Sequence, residues 1–146
     1  MVRTVGSMNT LQAVDVVRCA FGNARSASIP KLRGGHFSAK LADDGIYVDD
    51  LGPQPFLPWA VFEEAVCLLL RKDGRAKRGE AMSAQLGDEK LPVDSVEGHI
   101  ARVVYGKQPG DWVFRRITPV ACILIWAGVC IAAPGELVLR HAPTTG

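Results

Sequence analysis

The chain has 146 residues, of which 48% are hydrophobic and 22% are charged. These proportions are typical of a globular domain and exclude a wholly disordered chain, a collagen-like chain and a strongly charged tail. The formal net charge of +2 carries no overall signature of a nucleic-acid-binding protein. For this length we expect one domain over residues 36–140, preceded by an N-terminal arm with one helix over residues 1–35 and followed by a tail over residues 141–146.

The four cysteines, Cys19, Cys67, Cys122 and Cys130, are spread over the chain without a C-x-x-C pair. This spacing favours small buried apolar side chains over a zinc or redox site, so we expect no metal and no cofactor. The N-terminal residues lack the apolar core of a secretory signal. Together these features predict a cytoplasmic protein.

One uncharged segment, residues 117–135, approaches the length of about 20 apolar residues that spans a bilayer. Pro119 and Pro134 lie near its two ends, and Gly128 interrupts it. The strongly apolar part, residues 120–127, fits a single buried helix better than a spanning segment. We therefore expect no membrane association, with a membrane-associated protein as the remaining alternative.

The first part of the chain carries one helical pattern and one strand pattern. Residues 10–21 place apolar side chains on one stripe, which predicts a helix ended by Gly22. Residues 23–35 are rich in small residues and predict a connecting segment. Residues 37–48 alternate in polarity around an Asp-Asp-Gly turn, which predicts a β-hairpin. Residues 51–58 predict a proline-rich elbow that suits neither a helix nor a central strand.

The clearest helix of the sequence begins at Pro58. Apolar residues recur at helical spacing over residues 62–70, and Gly74 is suited to end the helix. A shorter helix is predicted over residues 78–86, closed by Gly87.

Two more helices and a second hairpin complete the chain. The third helix is predicted to begin at Asp94, because Asp94 and Glu97 resemble a capping box. The fourth is predicted to have Thr118 as its N-cap and Pro119 in its first turn. Residues 129–140 flank a Pro-Gly turn with apolar residues and predict a hairpin.

This order of elements predicts an α+β fold. Several short helices followed at once by a C-terminal β-hairpin indicate a winged helix, in which a helix-turn-helix core carries the hairpin as its wing. The winged helix is expected to be preceded by the N-terminal helix and the small β-hairpin. The inner edge of the wing can pair with an earlier strand to close the sheet.

Residues 114–117, 126–129 and 135–139 carry a basic helix start, an apolar helix that ends in Ala-Gly, and a small hairpin with a glycine turn. This pattern resembles the winged-helix domain at the N-terminus of Mrr-type restriction endonucleases. The resemblance implies a helix-turn-helix fold and binding to duplex DNA. The chain departs from that family in the helix before the wing, where residues 120–126 contain no polar side chain beyond Cys122. DNA contacts would therefore come from the arginines at the helix start, from the wing, or from another helix.

Charge is segregated along the chain. Residues 41–70 contain six acidic residues and no Lys or Arg, whereas residues 71–78 contain five basic residues. A second basic group lies within residues 102–116. Binding to the phosphate backbone requires such concentrated positive charge. The candidate DNA-binding residues are drawn from these two groups: Arg75, Lys77, Arg78, Arg102, Lys107, Arg115 and Arg116.

Arg115 and Arg116 are the strongest of these candidates. We expect them to lie side by side at the exposed start of the fourth helix, where backbone N–H groups and the helix dipole favour anions. Either guanidinium also has the geometry for a bidentate contact with guanine. The alternative for both basic groups is a solvated surface without a ligand.

The sequence assembles no catalytic group. Residues 88–90 form a D-x-K, which metal-dependent nucleases use to hold a cation, but the segment lies in an expected loop between Gly87 and Pro92. His99 is expected at a helix surface or boundary rather than as a catalytic base. We therefore predict a protein that is not an enzyme.

The sequence as a whole predicts a cytoplasmic, homodimeric DNA-binding protein, either a transcriptional regulator or the specificity module of a larger system. It would contact duplex DNA through basic helix starts and a wing. The alternative is a non-catalytic protein-interaction or dimerisation module of the same fold. That alternative is favoured by a surplus of apolar surface that includes Trp59, Trp112 and Trp126.

Overall fold

The computed structural model describes residues 10–140, which form an α+β fold with four helices and two antiparallel sheets. The N-terminal residues 1–9 and the expected tail 141–146 lie outside the described residues. In chain order the elements are α1 (Thr10–Ala20), β1 (Ser26–Pro30), β2 (His36–Leu41), β3 (Gly45–Val48), a short 3₁₀ helix (Asp49–Leu51), β4 (Phe56–Pro58), α2 (Trp59–Arg71), β5 (Arg75–Lys77), α3 (Val96–Val103), α4 (Ile117–Trp126), β6 (Cys130–Ala133) and β7 (Glu136–Leu139).

The first sheet is a meander with the strand order β1-β2-β3-β4. The predicted hairpin over residues 37–48 is present as β2 and β3. The expectation of an irregular connection over residues 23–35 is wrong in part, because β1 pairs with β2 and places Ile29 opposite Phe37 in the core. The expected domain boundary after residue 35 therefore falls at the end of the β1–β2 loop.

The elbow is also partly a strand. Residues 56–58 pair with β3 at the edge of the first sheet. Pro58 lacks an N–H group, and an edge position tolerates it because a neighbouring strand is present on only one side. The elbow thus leads directly from the first sheet into α2.

The second sheet has the strand order β5-β7-β6. Its hairpin β6–β7 corresponds to the predicted C-terminal hairpin, and β5 pairs along the other side of β7. The predicted helix over residues 78–86 is wrong, because no helix lies between Lys77 and Ser95. Backbone groups of this segment bind other loops instead: the Glu80 N–H donates to the Lys90 carbonyl at 2.8 Å, and the Leu86 N–H donates to the Asp111 carbonyl at 2.9 Å.

The third helix begins two residues later than the sequence predicts. Ser95 is its N-cap, and the Ser95 hydroxyl accepts a hydrogen bond from the Gly98 N–H at 3.0 Å. The predicted capping box does not form, because the Asp94 carboxylate binds the Lys72 ammonium at 2.7 Å. Lys72, the principal cause, holds the pKa of Asp94 below its ordinary value.

The fourth helix occupies the centre of the core. Seven of its residues are buried, and it packs against α1, α2, β1 and β6. Its start is two residues earlier than predicted, so Arg116 and not Thr118 is its N-cap. A helix that is apolar on all sides is expected to be covered on all sides. Within residues 10–140, no helix has both the length and the apolar character needed to cross a membrane.

The N-terminal helix α1 lies on this core, with Val17 and Phe21 buried and the Phe21 ring edge-on to Trp126 at 5.1 Å between ring centroids. The expectation that the cysteines are buried is right for Cys122 and Cys130. It is wrong for Cys19, which is exposed on α1.

Replacement of Gly98 by alanine tests the packing of α3. Gly→Ala inside a helix ordinarily stabilises a protein by about 1 kcal/mol. Here an added Cβ would overlap the carbonyl oxygen of Pro92 and lie 2.9 Å from the Ser95 hydroxyl. We expect Gly98→Ala to lower the free energy of unfolding by about 2 kcal/mol or more, measured by urea denaturation. Val103→Ala, at an exposed position of the same helix, is the control and should change it by less than about 1 kcal/mol.

Candidate nucleic-acid interface

A buried carboxylate closes the start of α4. Glu97 is 1% exposed. Its Oε2 atom accepts hydrogen bonds from the N–H groups of Arg116 at 2.8 Å and Ile117 at 3.1 Å. These N–H groups have no partner within α4, because the first turn of a helix lacks preceding carbonyl groups. Burial is the main cause that raises the pKa of Glu97 to about 7, while the two N–H groups and the Arg116 guanidinium act in the opposite direction.

Arg116 faces the interior. Its guanidinium carbon lies 3.6 Å from the centre of the Tyr105 ring and 4.8 Å from that of Phe114. Its Nη2 atom donates to Gln54 Oε1 at 2.7 Å, and the residue is 5% exposed. The expectation that Arg115 and Arg116 point outward together is therefore wrong for Arg116. Stacking on two rings places this cation where it cannot reach a ligand at the surface.

Arg115 faces the solvent. Its guanidinium donates to Thr118 Oγ1 at 2.8 Å and contacts Met82 Sδ at 3.2 Å. Neither partner carries a negative charge, so the charge of Arg115 remains available to an anion. Of the two consecutive arginines, Arg116 therefore points into the protein and Arg115 points to the solvent.

Arg115 forms part of a cleft of about 780 Å³. Several parts of the chain meet there, among them the β1–β2 loop, the end of β5 with the loop that follows it, the residues around Lys90, and the first turns of α4. The β6–β7 turn contributes Gly135 to the same cleft. The cationic residues that line it are Lys31, Arg33, Lys77, Arg78, Lys90 and Arg115, and the acidic ones are Asp50, Glu80 and Glu89.

Few of these cations are neutralised by carboxylates. Within residues 10–140, Lys31 forms the one ion pair of the six, at 3.0 Å from Asp50. Arg78 donates instead to the main-chain carbonyls of Ala133 at 3.1 Å and Glu136 at 2.9 Å. These bonds hold the Arg78 side chain against the β6–β7 hairpin without cancelling its charge. The cleft therefore presents an excess of positive charge, which favours an anionic ligand.

Three of the residues predicted from the sequence, Lys77, Arg78 and Arg115, lie in this cleft. The others do not line it. Arg75 is held by Glu136, with Nε and Nη2 donating to the same carboxylate oxygen at 2.9 and 2.6 Å. Arg102 is exposed on α3, and Lys107 lies in the loop that follows α3.

The structure adds Lys31, Arg33 and Lys90 to the residues predicted from the sequence. Lys31 and Arg33 lie in the segment for which the sequence predicts a connection. Lys90 lies in the D-x-K segment. One available signal was the sequence Lys-Leu-Arg-Gly-Gly at residues 31–35, where two cations adjoin a glycine turn.

Other reactive groups do not assemble a site. His99 is 2% exposed, so the expectation that it lies at a helix surface or boundary is wrong, and its Nε2 atom lies 2.9 Å from Glu64 Oε1. The Asp88 carboxylate accepts a hydrogen bond from the Gln85 N–H at 2.8 Å, which closes a turn. Among the described side chains, no group of three or more His, Cys, Asp or Glu residues could hold a metal ion.

Comparison with known proteins identified no relatives. No family model matches the chain, and neither the curated proteins nor the solved structures contain a significant match.

The buried Glu97 predicts a specific dependence of stability on pH. Because its pKa is about 7 in the folded protein against an ordinary value of 4.5, the folded state binds the proton more tightly than the unfolded state. The resulting stabilisation amounts to about 3 kcal/mol. It is fully present below pH 4.5 and is lost as the pH rises through 7. Glu97→Gln carries no ionisable proton and should lack this contribution.

The measurement is the free energy of unfolding in urea at several pH values between 4 and 8 for both proteins. The free energy of unfolding of the wild type, taken relative to that of Glu97→Gln, should fall as the pH rises. Glu89→Gln, which removes an exposed carboxyl group, is the control and should follow the wild type. Parallel curves for wild type and Glu97→Gln would contradict the assignment.

Proposed function

We propose that this chain is a winged-helix protein that binds duplex DNA through the basic cleft. The order α2-β5-α3-α4-β6-β7, with β5 beside β7, supports the winged-helix assignment. In that fold, three helices and a small sheet with a terminal hairpin form one unit, and the helix before the hairpin lies beside the DNA. In this chain that helix is α4, and its first turns line the cleft.

The observation that carries the proposal is the convergence of six cations from separate segments on one cleft. Affinity for DNA comes largely from counterions that Lys and Arg displace from the phosphates. The cations of the cleft suit this role because five of the six form no ion pair within the described part of the chain.

The burial of α4 determines how the DNA would be held. Residues 120–124 are buried, so the middle of α4 presents no side chain to a base edge. The contacts that α4 makes in the cleft are consequently with phosphate groups, which orient a protein on DNA without reading its sequence. We therefore expect strong dependence on salt, and little dependence on base sequence from α4 itself. The protein would act as a regulator or as the specificity module of a larger system, as a homodimer.

The proposal is tested by binding to a mixed-sequence duplex of about 20 base pairs at a series of salt concentrations. We expect the affinity to fall steeply with salt. Lys77→Ala and Arg115→Ala should each weaken binding about tenfold and reduce the salt slope by about one, because each removes one phosphate contact.

The control is Arg102→Ala, which also removes one exposed positive charge but lies outside the cleft. It should change the affinity by less than about threefold, since only long-range attraction is lost. The proposal is overturned if the wild type does not bind in a salt-dependent way. It is also overturned if the two cleft variants bind as Arg102→Ala does.

A protein-interaction module is the second candidate function. Trp112 is 63% exposed and Met82 is 65% exposed, and large apolar side chains of this kind are enriched at protein interfaces. Trp112 lies in the loop after α3, where it forms a single β-bridge with Gln85. A stable dimer in light scattering that Trp112→Ala dissociates, together with an absence of DNA binding, would favour this function.

A further inference from the structure

The β1–β2 loop, residues 31–35, lies against α4 and forms one wall of the cleft. Lys31, Leu32 and Arg33 line the cleft together with Ala121 of α4. Strand β1, which leads into the loop, packs against α4. The loop therefore lies beside the helix that a winged helix would direct toward DNA.

The shape of the loop is defined by hydrogen bonds and by two glycines. The Lys31 N–H donates to the Gly35 carbonyl at 2.9 Å, and the Gly34 N–H donates to the Lys31 carbonyl at 3.3 Å. Gly34 and Gly35 have φ values of +99° and +78°, which side chains with a Cβ rarely adopt. Leu32 and Arg33, the two residues before these glycines, are exposed and line the cleft.

Leu32 is 45% exposed, although a leucine of this size is usually buried in a small domain. Its neighbour Arg33 is exposed and forms no ion pair with any described residue. The loop thus offers one aliphatic side chain and one free guanidinium. It contains no Asn, Gln, Asp or Glu, which are the side chains that read adenine or cytosine edges in the major groove.

We propose that the β1–β2 loop contacts the minor groove of A·T-rich DNA, with Arg33 inside the groove and Leu32 against its wall. This inference rests on the proposed function, because the cleft holds the adjacent phosphates. The minor groove is only about 6 Å wide, which admits a side chain and excludes a helix. Its narrow form in A·T-rich sequences has an enhanced negative potential that attracts arginine. Proteins that bind this groove commonly pair such cations with an aliphatic side chain that presses against the bases.

The test uses three duplexes of equal length with identical ends. The first has an A·T centre, the second a G·C centre, and the third has inosine in place of guanine. Inosine lacks the amino group that guanine places in the minor groove, and it leaves the major-groove edge unchanged. We expect the wild type to bind the A·T and inosine duplexes about tenfold more tightly than the G·C duplex.

The variants locate the contact. Arg33→Ala should bring this ratio of affinities close to one, and Leu32→Ala should reduce it severalfold. Lys77→Ala should weaken binding to all three duplexes by the same factor and leave the ratio unchanged. Arg102→Ala should leave the ratio unchanged and should change each affinity by less than about threefold. Because Leu32 and Arg33 are solvent-exposed, their variants should keep the thermal unfolding temperature of the wild type.

The outcomes separate this inference from the proposed function. Salt-dependent binding that Lys77→Ala weakens, with a ratio that Arg33→Ala leaves unchanged, would overturn the role of the loop and retain the DNA-binding cleft. Binding of the inosine duplex with the affinity of the G·C duplex would overturn the assignment to the minor groove. An absence of binding to every duplex would overturn both proposals.

Discussion

The Glu97 carboxylate, on α3, closes the start of α4 by accepting hydrogen bonds from two consecutive main-chain N–H groups. This contact fixes α4 against α3 and determines the direction of the chain at residues 115–116. Arg116 then lies beside the carboxylate, under the rings of Tyr105 and Phe114. Arg115 turns to the cleft. The opposite orientations of these two adjacent arginines are therefore linked to one buried acid. Burying a carboxylate costs free energy unless hydrogen-bond donors or cations surround it.

The helices and hairpins that the sequence predicts correctly are those in which local pattern and burial agree. The stripe of α2, with Ala65 and Leu69 buried, is an example. The strand β5 could not be predicted in this way, because residues 75–77 are stabilised by pairing with β7, far along the chain. The same pairing diverts the following residues from the helix that their composition favours. Tertiary contacts thus override weak local preferences.

Local sequence patterns likewise predict some residues of the candidate site and miss others. Lys77, Arg78 and Arg115 were accessible to the sequence analysis because they belong to basic clusters. Lys31 and Arg33 were not, because their place in the cleft depends on the docking of β1 against α4. Lys90 was not, because its place depends on hydrogen bonds within its own loop, such as the one that the Lys90 carbonyl accepts from the Glu80 N–H. Arg116 was misassigned since a charge pattern gives the position of a cation along the chain and not the direction in which it points. Half-buried aromatic partners such as Tyr105 come from a separate loop and leave no local signal.

The packing of β1 against α4 also determines which fragments of the chain could fold. A fragment limited to residues 59–140 would contain α2, α3, α4 and the second sheet, and it would leave bare the side of α4 that packs against α1 and β1. That exposed apolar side would favour aggregation over folding. Because α4 packs against both parts of the chain, we expect the smallest fragment that folds to include both.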